Sequence, residues 1–469
     1  MIYLDSGDSR PLYQQLYQKL TQEILSGRME AGSRLPPSRS LAEELGISRN
    51  TVNRVYQQLL AEGYVVSRMG SGFYVSEIDP DLVPEAQSWK LVPIPDPPAY
   101  RYHFFYGTIS SSVFPHDAWR KSVNNALTAI EYSDFIGYPV RQGESALRES
   151  IVRYLHTSRG VECQPDQVVI TGGHQHSMEI LARMFREQSD TFAIEEPGYD
   201  GVRAVFENYG YKVAPVPVEK DGIDLTALEP VRAGLFYLTP SHQFPLGCLL
   251  PVAKRLAILS WARNTGCYII EDDYDSELWY SHTPVPCMQS LDPGGRVIFT
   301  SSFSKCLSPN LRVAYMVLPR ELLPLYYRHY QRYNTQVSPL IQEALADFLD
   351  SGGLLRHIAR LRTYYRRQRA AFLEALYETF GGSIQVYGED AGLQVVVDFR
   401  LEVDGEELIA SAARAGIGVY SPIANYVDRS RCPRSMLLMG FANLSEQTNR
   451  KALGLLKEQW QKDGLWPRE

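Results

Sequence analysis

The 469-residue sequence contains no run of about 18 apolar residues, so a membrane-spanning helix is not expected. Its first ten residues, MIYLDSGDSR, carry Asp5 and Asp8 and no apolar core, which is not the pattern of a secretory signal. The six cysteines (163, 248, 267, 287, 306 and 432) are scattered without a CxxC pair. That spacing excludes a zinc site and fits reduced thiols in a cytoplasm. Positive charge is also scarce: 47 Lys and Arg face 54 Asp and Glu, a formal −7 that by itself argues against nucleic acid as a partner.

What is present describes a soluble globular chain, 44% hydrophobic and 22% charged, long enough for two or three domains. Residues 78 to 99, IDPDLVPEAQSWKLVPIPDPPA, hold six prolines. Proline fixes φ and removes a donor, so neither a helix nor a central strand is expected there. The segment reads as a stiff linker over 78–100, dividing a unit at 1–77 from one at 101–469; a long surface loop is the alternative.

In the first unit, Pro11 opens a helical pattern with Leu12, Leu16, Leu20 and Ile24 four apart, ending at Gly27. Ser38 is placed as the cap of a second helix stopped by Gly46, with Leu41 and Leu45 on one face. Ser48 caps a third, with Val52, Val55, Leu59 and Leu60 inward. The alternating YVVSRMGSGFYV then reads as a two-stranded wing. Two helices joined by a glycine turn, the second opening S-R-N-T, form the layout of a helix-turn-helix. Ser48, Arg49, Asn50, Thr51, Asn53 and Arg54 can bond base edges or phosphates, with Arg34 and Arg39 before them and Arg68 in the wing. A merely solvated polar face is the competing reading. The stretch LPPSRSLAEELGISRNTVNRVYQQLLAEGY resembles the winged helix-turn-helix of GntR-type bacterial regulators, from about Pro11 to Val75. The resemblance implies DNA contacts at Arg39, Ser48, Arg49, Thr51 and Gly70.

From residue 168 short apolar runs alternate with helical stretches, as in a mainly parallel α/β sheet, with strands at VVIT, TFAIE, GLFYLT, CYIIED and RVIFTSS. Ligands bind at the carboxyl ends of such strands. Gly172-Gly173-His174-Gln175 follows the first and suits an anion at a helix start, although a Gly-Gly turn is more often only geometry. His174 and His176 lack a third metal ligand, so no metal is expected. Glu271-Asp272-Asp273-Tyr274-Asp275 crowds acids that call for a cation, either a protonated heterocycle or a metal, or else form a solvated loop. Phe303-Ser304-Lys305 with Arg312 beyond suits a Schiff-base lysine beside a phosphate clamp. Together these meet the needs of pyridoxal 5′-phosphate (PLP).

The order GG-x-Q, E-E-P-G-Y, T-P-S-H-Q-F-P-x-G, E-D-D-Y and S-F-S-K…R resembles fold-type I aminotransferases over residues 100 to 469. It implies an α/β large domain with a small C-terminal α+β domain. By that resemblance Lys305 carries the cofactor through aldimine chemistry, Asp272 pairs with the ring nitrogen, Tyr274 bonds the phenolic oxygen and Tyr199 stacks on the ring. Gly173, His174, Gln175, Ser302 and Arg312 surround the phosphate, and His242 or Gln243 meets the ring's polar edge.

A GntR-type head joined to such a module resembles the MocR/GabR-type regulators across the whole chain. The resemblance implies a PLP-dependent transcription regulator of the bacterial cytoplasm, nucleoid-associated when bound, with a head-to-tail, domain-swapped homodimer on an operator of paired half-sites. The implied effector is an amine, amino acid, dipeptide or PLP, and full aminotransferase turnover is not implied. Asn443 stands where the carboxylate-gripping arginine of the enzymes is expected, and Arg203 is placed as a substitute contact. GABA as the effector, and efficient transamination of a simple α-amino acid, are therefore not expected. A working aminotransferase with an accessory DNA-binding domain is the alternative, and a cofactor-free scaffold a third.

Overall fold

Pro11, which has no amide hydrogen to leave unpaired, precedes helix α1 (Leu12–Leu25) in a computed structural model. The structure describes residues 4–5, 8–79, 99–107, 109–130, 137–280 and 285–467. Residues 80–98, nearly all of the expected linker, lie outside these. The chain separates into two units, Met1–Pro97 and Pro98–Glu469.

In the first unit α1 is followed by α2 (Ser38–Leu45) and α3 (Arg49–Ala61). Leu16, Leu20, Val52, Val55 and Leu59 are fully buried, and Tyr56 joins them. Leu12 is 40% exposed, because a strict four-residue spacing drifts around the helix at 100° per residue. Leu45 and Leu60 are only partly buried, at the rim of this core. Ser38 is the first helical residue of α2, not its cap: Pro37 holds that position and no side-chain cap bond forms. Ser48 does cap α3, accepting from the Thr51 amide at 3.1 Å. The wing pairs β1 (Val65–Arg68) with β2 (Gly72–Val75) in antiparallel register, Val65 opposite Val75. A third edge went unread in the sequence: the Leu35 amide donates to the Phe73 carbonyl and that of Gly32 to Val75.

The second unit opens with β3 (Tyr102–His103). Its main sheet contains β4 (Val168–Thr171), β5 (Thr191–Glu196), β6 (Lys212–Glu219), β7 (Gly222–Ile223), β8 (Leu235–Leu238), β9 (Tyr268–Asp272), β10 (Val297–Ser302) and β11 (Ala314–Val317). The order is β4-β11-β10-β9-β8-β5-β6-β7. The run from β10 to β6 is parallel; β11 lies antiparallel to both neighbours and β7 returns antiparallel at the edge. Helices cover both faces, which is why these strands read as continuous apolar runs. Met178, Leu181, Phe185 and Phe206 pack on one face, Ile258 and Leu259 on the other. A smaller lobe follows, with β12 (Gln385–Tyr387), β13 (Gln394–Asp398), β14 (Ile417–Gly418) and β15 (Met436–Gly440). β12, β13 and β15 form an antiparallel sheet, and β14 pairs with β3. Trp460, Phe380 and Phe399 centre its core.

Leu59→Ala removes a fully buried side chain from the head and should cost it about 2–5 kcal/mol. Hydrogen–deuterium exchange of the full chain should show protection in α1 and α3 falling by about 30-fold or more, with the sheet of the second unit unchanged. A fall under about threefold would contradict the packing described.

Candidate cofactor cavity and DNA-reading face

A cavity of about 260 Å³ opens at the carboxyl ends of β4, β8, β9 and β10, where a doubly wound sheet receives its ligands. The turn after β10 brings Lys305 into it. The Lys305 Nζ donates to the Tyr106 carbonyl at 3.1 Å. Enclosure of this amine pulls its pKa below the usual lysine range, with Asp275 opposing in part. A larger share of the amine is then unprotonated, the form that attacks a carbonyl.

Across the cavity Asp272 ends β9. Its Oδ2 accepts from the Tyr237 hydroxyl at 2.5 Å, and His174 Nε2 lies 3.4 Å from the same atom. Oδ1 is buried and, among the described residues, has no hydrogen-bond partner. Burial raises the pKa of this carboxyl. A desolvated carboxylate with a spare oxygen is an acceptor for a cationic N–H.

The neighbouring acids are not a solvated loop. Glu271 accepts from the Met288 and Gln289 amides at 2.6 and 2.9 Å. Asp273 is held bidentate by Arg159 at 2.7 and 2.8 Å, both side chains under 5% exposed. Asp275 bonds His242 Nδ1 at 2.8 Å. Each acid has its own partner, and only Asp272 faces the cavity.

The opposite end is built for an anion. Gly173, with φ +111°, starts the helix His174–Phe185, and a Cβ there would lie 2.3 Å from Arg312 Nη2. Arg312 itself sits in left-handed backbone at φ 53° and donates to the Gly172 carbonyl at 3.4 Å. Ser302, Ser304 and Gln175 complete this wall. A helix start, a guanidinium and hydroxyls make a phosphate cradle.

Several expected residues take other places. His174 lies between the rings of Tyr199 and Tyr237, with centroids 6.4 and 6.0 Å away, and so stands beside Asp272 on the ring side of the cavity. His176 accepts from the Gly172 amide at 3.0 Å, a structural use of the second histidine. Tyr199 and Tyr274 line the cavity with Phe244 edge-on to both. The Tyr274 hydroxyl meets His242 Nδ1 at 2.9 Å, so His242 backs Tyr274 instead of lining the wall. Gln243 pins its own loop through the Pro197 and Phe244 carbonyls. Neither Asn443 nor Arg203 lines the cavity: Asn443 donates to the Phe105 carbonyl at 3.3 Å and Arg203 to that of Ala424 at 2.8 Å. Tyr106, Tyr237 and Gln394 line it without having been singled out in the sequence. Tyr237 sits inside an apolar strand run, where nothing marks it.

The donor set fits a planar heterocycle that bears an aldehyde, a basic ring nitrogen and a phosphate. Lys305 would meet the first, Asp272 Oδ1 the second and the Gly173–Arg312 end the third, with Tyr199 beside the ring.

On the first unit Arg39, Arg49, Arg54 and Arg68 are exposed. Arg39 pairs with Glu43 at 3.1 Å, Arg54 lies 4.3 Å over the Tyr13 ring and Arg68 4.3 Å over Tyr74. Ser48 and Thr51 share a hydroxyl contact of 2.8 Å at the start of α3. Gly70, at φ 74°, turns the wing. Among the described residues of the head, Arg49 at the α3 N-terminus makes no ion pair.

Two family models match this chain: bacterial regulatory proteins of the gntR family over residues 12–75, and aminotransferase class I and II over 109–456. The HTH-type transcriptional regulator YdeL of Bacillus subtilis is 38% identical over 96% of this chain and 97% of its own length. The probable rhizopine catabolism regulatory protein MocR of Rhizobium meliloti is 35% identical over 97% and 95%. The chain belongs to the MocR-type regulators. Its second unit shares the fold of the multiple substrate aminotransferase of Thermococcus profundus, at TM-score 0.70 and 23% identity over 77% of this chain and 91% of that one. Membership of this family implies PLP as the cofactor and DNA as the target of the head. No helix among the described residues is long and apolar enough to cross a membrane.

Gly173→Ala should drive a methyl group into Arg312 and strain the backbone at its positive φ. Affinity for PLP, measured by absorbance titration of the full-length regulator, should fall by about tenfold or more, as expected from loss of one charge-assisted contact. Unaltered affinity would remove Arg312 from the phosphate end.

Proposed function

We propose that this MocR-type regulator senses an amine at Lys305 and converts that event into a change in how it holds its operator. When bound, PLP supplies an aldehyde for which Lys305 and an amine effector compete. The observation that carries the reading is the facing pair in one cavity: a desolvated amine at Lys305 and an unsatisfied buried oxygen on Asp272. Asp272 holds the ring end, Tyr237 and His174 hold Asp272, and Gly173 with Arg312 holds the phosphate. Tyr274, backed by His242 and Asp275, is placed to set the proton on the cofactor's phenolic side. Arg39, Ser48, Arg49, Thr51, Arg54, Arg68 and Gly70 form the DNA-reading face.

The regulator acts as a homodimer, so that two heads meet paired half-sites. A charge argument supports this. Residues 1–77 carry eight Arg and Lys against eight Asp and Glu, and a neutral head binds weakly alone. An effector that favours one dimer arrangement then changes head spacing by shifting a population. The alternative, a turning-over aminotransferase, is disfavoured by Asn443, whose amide is spent on the Phe105 carbonyl and offers no charge to a substrate carboxylate.

Lys305→Ala in the full-length protein should abolish the visible absorption band that PLP acquires on the wild type, while footprinting on the upstream region loses its response to amines. An unchanged band would refute the assignment of Lys305. Arg49→Ala should weaken operator binding and lower the slope of log K against log salt by about 1. An unaltered salt slope together with unaltered affinity would take Arg49 out of the interface.

A further inference from the structure

We propose that Gln394 is an effector-contacting residue, and that it selects amines whose second polar group is uncharged. The proposal rests on the sensing reading above. Gln394 opens β13 in the smaller lobe and is 4% exposed. It lines the cofactor cavity. Among the described residues, every other lining residue comes from segment 105–107 or from the strands of the main sheet and the turns and helix starts that follow them, and Gln394 alone comes from beyond Arg312.

Its amide nitrogen is buried and, among the described residues, has no hydrogen-bond partner. Such groups are uncommon in folded proteins, because the bond to water has been given up without replacement. A ligand that brings an oxygen to this amide restores the bond. The amide is thus a recognition element waiting at the side of the cavity opposite the main sheet.

Charge decides what kind of oxygen it takes. Lys305 and Arg312 are the Lys and Arg side chains that line the cavity. Lys305 is the attachment point, and Arg312 packs on Gly173 at the anion cradle. Asn443 and Arg203, the two residues best placed in the sequence to meet a carboxylate, are turned to the carbonyls of Phe105 and Ala424. A free carboxylate beside Gln394 would therefore sit on the Phe105–Tyr106 side of the cavity, where the group able to carry positive charge is Lys305, the attachment point itself, whose enclosure disfavours the charged form. Burying an unpaired charge costs more than one neutral hydrogen bond returns. A hydroxyl, ether or amide oxygen makes the same bond without that cost. The effector class is a primary amine carrying an uncharged oxygen function. Because β13 pairs with β15, Gln394 opposite Gly440, the same contact reaches directly into the smaller lobe's sheet.

The test is an absorbance titration of the full-length, PLP-loaded regulator with matched amines: 2-aminoethanol and glycinamide against glycine, and β-alaninamide against β-alanine. Concentrations are expressed as unprotonated amine. The uncharged members should shift the visible band at concentrations at least about tenfold lower than the carboxylates. In Gln394→Met, checked for folding by its melting temperature, that gap should shrink to under about threefold. A carboxylate that equals or outcompetes its neutral partner in the wild type overturns the proposal, and this comparison needs no variant. A gap that survives in Gln394→Met, or a band that no probe moves, overturns it as well. A wild type that acquires no visible band with PLP defeats the cofactor reading itself, a different failure.

Discussion

Everything at the cofactor cavity depends on burying a run of carboxyl groups at the end of β9. Glu271, Asp272, Asp273 and Asp275 are each at most 5% exposed, and side by side they would repel one another. The fold separates their fates. Glu271 is capped by two backbone amides, Asp273 is clamped by Arg159, and Asp275 is tied to His242. Burial and the nearby Asp273 still push Glu271 up to about 7, which measures how confined the cluster is. Only after those three are answered can Asp272 keep an oxygen free. The Arg159–Asp273 pair is therefore less a source of net stability than a condition for the site, since removing one partner would leave the other charged and dry.

Much of this architecture was legible because chemistry concentrates at strand ends. The Gly-Gly turn, the acid run and the Ser-Lys turn each interrupt an apolar run, and interruption is visible in a sequence. What was not legible has a common cause: it lies inside runs of one character. Tyr237 is one aromatic within an apolar strand, and its bond to Asp272 depends on β8 lying next to β9. The strand Ala314–Val317 is four apolar residues with no period to mark its antiparallel direction. Gln394 stands before three valines and reads as a polar edge. Leu12 and Ser38 show the limit at helix ends, where spacing and residue type agreed with positions that the backbone placed one turn or one residue away.

Whole-chain charge misled for a related reason. The −7 averages a head at residues 1–77 with no net charge, a linker at 78–100 with four acids against one lysine, and a larger unit that holds the remaining −4. Among the described residues, seven acids of that unit are buried, the run at the end of β9 among them. Within the head Arg54 sits on the Tyr13 ring, Arg68 on that of Tyr74, and Arg39 beside Glu43. Stacking of this kind holds the guanidinium plane in place while leaving its N–H edge available.

The bond from Lys305 to the Tyr106 carbonyl has a reach beyond the cavity. Tyr106 lies three residues beyond the end of β3, the first paired strand after the proline-rich stretch, so the amine is tied to the place where the chain comes into the larger unit. Whenever that amine turns to another partner, a part-buried backbone carbonyl loses its donor. It must then be met by water or draw its segment elsewhere. The hydration of one peptide group thus becomes a record of whether the lysine is engaged, kept a few residues from the tether that carries the head.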